Sequence, residues 1–229
     1  MKRRKTFVLL TAACLAAFTF MACSKSDKKD DEPSTPKEEA GKIPGLGEAP
    51  GTPQGTALTY PAGVSLTADK IYGEVCDTAY EVGSGGVVEI CAAFTNSNAA
   101  DVTFTLPAGL VILADDLTHQ HGLLIQDFKV VLKAKRTTRV GIKLYCLNAE
   151  RKPSNSGMTY KIGPVSSSPL IRQLCENVKN KKVARSEFAD EDQYFMASTS
   201  IQGLVWGYTD GDGFDAAVLA QLLAEIPNR

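Results

Sequence analysis

The residues of this 229-residue chain best suited to chemistry are its cysteines and one glutamine. Cys146 closes the alternating run Val140-Gly141-Ile142-Lys143-Leu144-Tyr145-Cys146. Val140, Ile142, Leu144 and Cys146 share one face by the two-residue strand period, so the thiol points into a core at the end of a strand. Gln202 lies in a helical stretch where Tyr194, Ala197, Ile201, Leu204, Val205 and Tyr208 form one stripe, and Phe195, Gln202 and Trp206 line its flank. An amide set among apolar neighbours needs partners. It either links to backbone as a structural residue or it reacts. A reactive pair would need a site that excludes water, with the thiol aimed at the amide carbon.

Other constellations are weaker. His119 and His121 stand two apart, which on a strand puts both on one face, but a zinc site needs three or four ligands and no third is evident. Surface histidines are expected, with no metal and no cofactor. Asp210-Gly211-Asp212-Gly213-Phe214-Asp215 lacks the later Glu of a calcium loop and reads as a turn that caps the last helix through Asp212. Neither histidine lies in a nucleophile motif, so turnover enzymology is not expected, beyond at most a single acylation.

The elements that must position Cys146 and Gln202 follow from periodicity. Residues 70–76 and 86–94 flank Gly83-Ser84-Gly85-Gly86 as a hairpin, and 101–106, 128–133 and 139–146 alternate as further strands. After Pro153 the period changes. Ser168 caps a helix over 169–178 that begins with Pro169. A second helix runs from about Asp190 to Tyr208, and a third follows Asp212 with Val218, Leu219, Leu222, Leu223 and Ile226 on one side. The expected fold is α+β: a β-sandwich-like, strand-rich N-terminal half packed with a helical C-terminal half of about three helices.

Tyr145-Cys146-Leu147-Asn148, then Pro153 and Tyr160, then Ile201-Gln202-Gly203-Leu204-Val205-Trp206-Gly207-Tyr208 resemble the two motifs of bacterial surface thioester domains. In that family an aromatic or apolar residue precedes a Cys, and an apolar-Gln-x-x-apolar-Trp motif follows on a helix. The resemblance implies Cys146 as thiol, Gln202 as acyl donor, Trp206 packing beside them, and adhesion by covalent attachment to amines on a host or surface ligand. This chain has Ile201 and Leu204 where family members often carry Thr and Ala. The alternative is a non-catalytic surface domain that binds protein or glycan through loops, with Cys146 in the core or bridged to Cys175.

The N-terminus indicates location. Lys2, Arg3, Arg4 and Lys5 precede an uncharged run from Thr6 to Ala22, a secretory signal over residues 1–22. Ala22-Cys23 resembles a lipobox, which implies lipidation of Cys23 and membrane attachment; Cys14 fits the same pattern less well. Removal of the signal leaves 21 basic against 26 acidic residues, a net charge of −5. That balance offers no footprint for nucleic acid. Residues 23–57 are rich in charge, Pro and Gly and read as a disordered tether, ahead of a single domain over 58–229. The acidic cluster Asp27 to Glu32 resembles the export signal of surface-exposed outer-membrane lipoproteins of Gram-negative bacteria. In that oxidising setting Cys76, Cys91, Cys146 and Cys175 allow three pairings, and Cys76 with Cys91, nearly symmetric about the Gly-rich turn, suits a cross-strand disulfide.

Overall fold

A computed structural model describes residues 37–67, 71–74, 76 and 80–229. The signal segment, Cys14, Cys23 and the acidic cluster lie outside them, as do Lys70 and Val75 of the first expected strand.

The strands are β1 (Gly55–Ala57), β2 (Val64–Leu66), β3 (Ile71–Tyr72), β4 (Glu81–Gly83), β5 (Val88–Asn96), β6 (Val102–Leu106), β7 (Leu110–Ala114), β8 (Gly122–Leu123), β9 (Phe128–Leu132), β10 (Arg136–Cys146) and β11 (Thr159–Ser166). The helices follow: α1 (Pro169–Val178), α2 (Glu191–Thr209) and α3 (Ala216–Glu225), with a short 3-10 turn at Arg185–Glu187. The fold is α+β, strand-rich first and helical towards the C-terminus. The expected sandwich takes the form of a barrel-like ring. Strands β5, β3, β11, β7, β8 and β10 pair in that order, and the long antiparallel β10–β5 pairing closes it. Strands β6 and β9 form a separate two-stranded sheet.

Closure follows from alternation. Val88, Ile90, Ala92 and Phe94 of β5 and Val140, Ile142, Leu144 and Cys146 of β10 belong to one buried cluster, with Phe104 meeting Phe94 edge to face at 5.4 Å. Each large aliphatic or aromatic side chain so buried is worth about 1.5–3 kcal/mol. The other face of β10 carries Tyr145, and Leu147 follows the strand end. These residues join a second cluster with Ile171, Leu174 and Val178 of α1 and Ile201, Leu204 and Val205 of α2. The end of β10 is therefore buried on both sides. Strands β1, β2, β4, β7, β8 and β11 escape the periodicity reading; of the two longest, β7 is apolar throughout, and β11 is broken by Gly163-Pro164 with a register shift between Ile162 and Val165.

Three further expectations differ from the structure. Residues 37–57 do not form a free tether: Ile43 and Leu46 are buried in the helix-side cluster, and β1 pairs with β11. Gly45 and Gly47 have positive φ of 72° and 59°. A Cβ at Gly47 would stand 1.9 Å from Thr209 O, so only glycine lets this strap cross the end of α2. The Gly-rich turn does not join a tight hairpin. Tyr72 of β3 pairs with Cys91 of β5, but the intervening chain adds β4 in parallel to β10. The last helix is capped by Asp215, whose carboxylate accepts from Ala217 N and Val218 N, because the helix starts four residues beyond Asp212.

Candidate functional site

Strand β10 and helix α2 bring Cys146 and Gln202 together although 56 residues separate them. Cys146 is the last residue of β10, with no exposed surface, and pairs with Gly122 of β8. Gln202 sits one turn after Ser198 on the buried side of α2, which starts from its Asp190 cap. The Gln202 carboxamide spans the Cys146 backbone: Oε1 accepts from Cys146 N at 2.9 Å and Nε2 donates to Cys146 O at 2.8 Å. Both polar ends of the buried amide are thus satisfied by the residue that carries the thiol.

The sulfur is held by its own turn. Cys146 Sγ donates to Asn148 O at 3.2 Å and accepts from Asn148 N at 3.2 Å. The Asn148 side chain fixes that turn, accepting from His121 N at 2.8 Å and donating to Gly47 O of the strap. Gly47 N donates to Leu147 O, and Ala149 N to Asp210 Oδ1 at the end of α2. Burial pushes the Cys146 thiol up to about 11, against opposing effects of the Asn148 N–H and the Trp206 indole. The indole N–H is buried and completes no hydrogen bond to a protein acceptor. The Tyr160 hydroxyl is likewise buried without a partner and is raised to about 12, by burial first and by the Cys146 charge second.

A groove of about 530 Å³ opens beside this pair, lined on one side by Gly85, Gly86 and Val87 and on the other by the α2 residues Tyr194, Phe195, Ser198, Gln202, Gly203 and Trp206. Tyr194 Oη donates to Gly85 O at 2.8 Å, which ties the two walls. Cys146 is therefore buried below while Gln202 borders an open cleft.

The remaining candidates separate from this site. Cys76 and Cys91 form a disulfide, and Cys146 and Cys175 are both free and buried, so the Cys146–Cys175 bridge is not formed. The histidines are buried rather than superficial. His121 Nδ1 accepts from Ala114 N at 3.0 Å, and burial holds its pKa down at about 4; His119 contacts Thr118 and Asn155. Among the described residues no group of three or more His, Cys, Asp and Glu is placed to hold a metal ion. Sequence reasoning gave no role to Asn148, Gly47 or Gly203. For Asn148 a signal existed in its spacing of two from Cys146, whereas Gly47 stood in a stretch that reads as low complexity. No family model, curated protein or solved structure matches the chain.

Proposed function

We propose that the protein is a lipid-anchored surface module that attaches once, covalently, to an amine-bearing ligand through a Cys146–Gln202 thioester. The observation that carries this reading is the seating of the Gln202 carboxamide on the Cys146 backbone. Sγ adds to Cδ of Gln202, and negative charge develops on Oε1, where Cys146 N–H already points. The Cδ–Nε2 bond then breaks, the thiol proton leaves with nitrogen, and one ammonia departs. A primary amine later attacks the same carbon. Its nitrogen becomes an amide of the Gln202 side chain, one amine proton returns to sulfur, and the Cys146 thiol is regenerated. Water exclusion by the Asn148 turn and the strap protects the acyl group meanwhile.

A second reading rests on the same hydrogen bonds: a fully paired Gln202 can equally be a brace between α2 and β10, in a domain that binds without bonding. Intact mass of the purified protein separates the two. The thioester requires a wild-type mass short by one ammonia, a gain of one whole methylamine on exposure with the label at Gln202, and neither change in Cys146→Ala. A full, methylamine-inert mass leaves only the brace. Membrane attachment is carried by the Ala22-Cys23 motif, and a Cys23→Ala variant is expected to leave the membrane fraction; unchanged fractionation rejects the anchor.

A further inference from the structure

Helix α2 contains two glycines near its end, and they have opposite reasons to exist. A Cβ at Gly207 would lie 2.0 Å from the Phe214 ring, so packing demands glycine there. A Cβ at Gly203 would meet no atom within 4 Å, and the residue carries no positive φ. Glycine in a helix interior is unfavourable relative to alanine, so nothing in the fold of α2 accounts for Gly203. Its position does: it directly follows Gln202 and borders the groove between α2 and the Gly85–Val87 segment.

We propose that this groove is the approach path of the attacking amine, and that Gly203 and Phe195 determine which amines reach Gln202. The inference rests on the thioester reading and adds the side of approach and the acceptor's shape. Val87, Phe195 and Trp206 make the path apolar, and its carboxylate, Glu191, is already paired with Arg185 at 2.6 Å. The path therefore selects by shape and apolar contact rather than by charge. With no side chain at Gly203 the passage beside Gln202 admits an unbranched alkyl stem. Phe195, 65% exposed, offers its ring to an apolar group a few ångströms behind the amine. The occupant is an unbranched primary amine on an apolar-flanked chain, such as a lysine side chain next to an aromatic residue.

The test uses the wild-type protein and the Gly203→Leu and Phe195→Ala variants, with methylamine and a dansylated pentylamine as probes and intact mass as readout. Wild type and both variants should all lack one ammonia. Gly203→Leu should then slow the long probe at least about tenfold more than it slows methylamine, and Phe195→Ala should show the same selectivity more weakly. Uniform rates across the variants, with the ammonia loss intact, overturn the groove while leaving the thioester. A wild type that retains its ammonia overturns the thioester and the groove with it.

Discussion

The end of β10 and the inner face of α1 each hold a free, buried cysteine, and the comparison separates burial from chemistry. Both thiols are pushed up by burial, Cys146 to about 11 and Cys175 to about 12. Cys175 lies in the helix-side cluster among Ile171, Leu174 and Val178 at the spacing of one helix face, and serves as a small apolar residue. Cys146 is buried too but has the Gln202 carboxamide bound to its backbone, a turn that grips its sulfur and an indole beside it. A raised thiol pKa says little about reactivity in either place. What differs is the carboxamide seated on the cysteine's own backbone, and that this carboxamide borders an open groove.

The largest effects should fall on one side of this comparison. Cys146→Ala and Gln202→Leu should abolish amine incorporation, while Cys175→Ala should retain it at the wild-type level; loss of labelling in Cys175→Ala would break the distinction. Gln202→Leu also strands the Cys146 N–H and C=O in a buried site, so chemical denaturation should report a loss of about 1–3 kcal/mol.

A smaller effect concerns alkaline pH. A thiol whose pKa is raised in the folded state adds stability below its unfolded value, near 9, and that stability drains away as pH rises through the folded value. Cys175 should contribute such an arm between pH 9 and about 12. If the thioester forms, Cys146 has no proton to lose. Urea midpoints measured across this range should therefore decline less steeply in Cys175→Ala than in wild type, and no less steeply in Cys146→Ala. A flattened arm in Cys146→Ala would mean that its thiol is free.

The two regions were also unequally legible. Ser168-Pro169 followed by Ile171, Leu174, Cys175 and Val178 reads as α1 because cap, proline and period agree, and the Ser168 hydroxyl does accept from Ile171 N. Alternation on β10 likewise placed the Cys146 thiol in a core, and the helical period placed Gln202 on the flank of the apolar stripe of α2, where it lies buried. Their contact was suggested only by the resemblance, since neither period relates a strand to a helix 56 residues away. The strap over residues 37–57 was misread because its buried apolar side chains are Ile43 and Leu46, spaced among glycines and prolines that resemble a linker. Ring closure was hidden for a different reason: β7, β8 and β11 are short, two-sided or broken, and their pairing is set by what covers them.

The smallest expected effect bears on why the groove beside Gln202 is open at all. If Gly203 serves the fold, replacing it with alanine should destabilise the protein, as Gly207→Ala should through the Phe214 ring. If it serves access, Gly203→Ala should raise stability by about 0.5–1 kcal/mol, the ordinary gain of alanine over glycine within a helix. Thermal melting of the two single variants, run in parallel, compares one helix with itself four residues apart. Opposite signs assign Gly203 to the approach path and Gly207 to packing. A Gly203→Ala variant that melts below wild type would show that α2 needs this glycine for its own structure, and the contrast between a merely buried cysteine and one with an open path to its partner would then lose its clearest mark in the sequence.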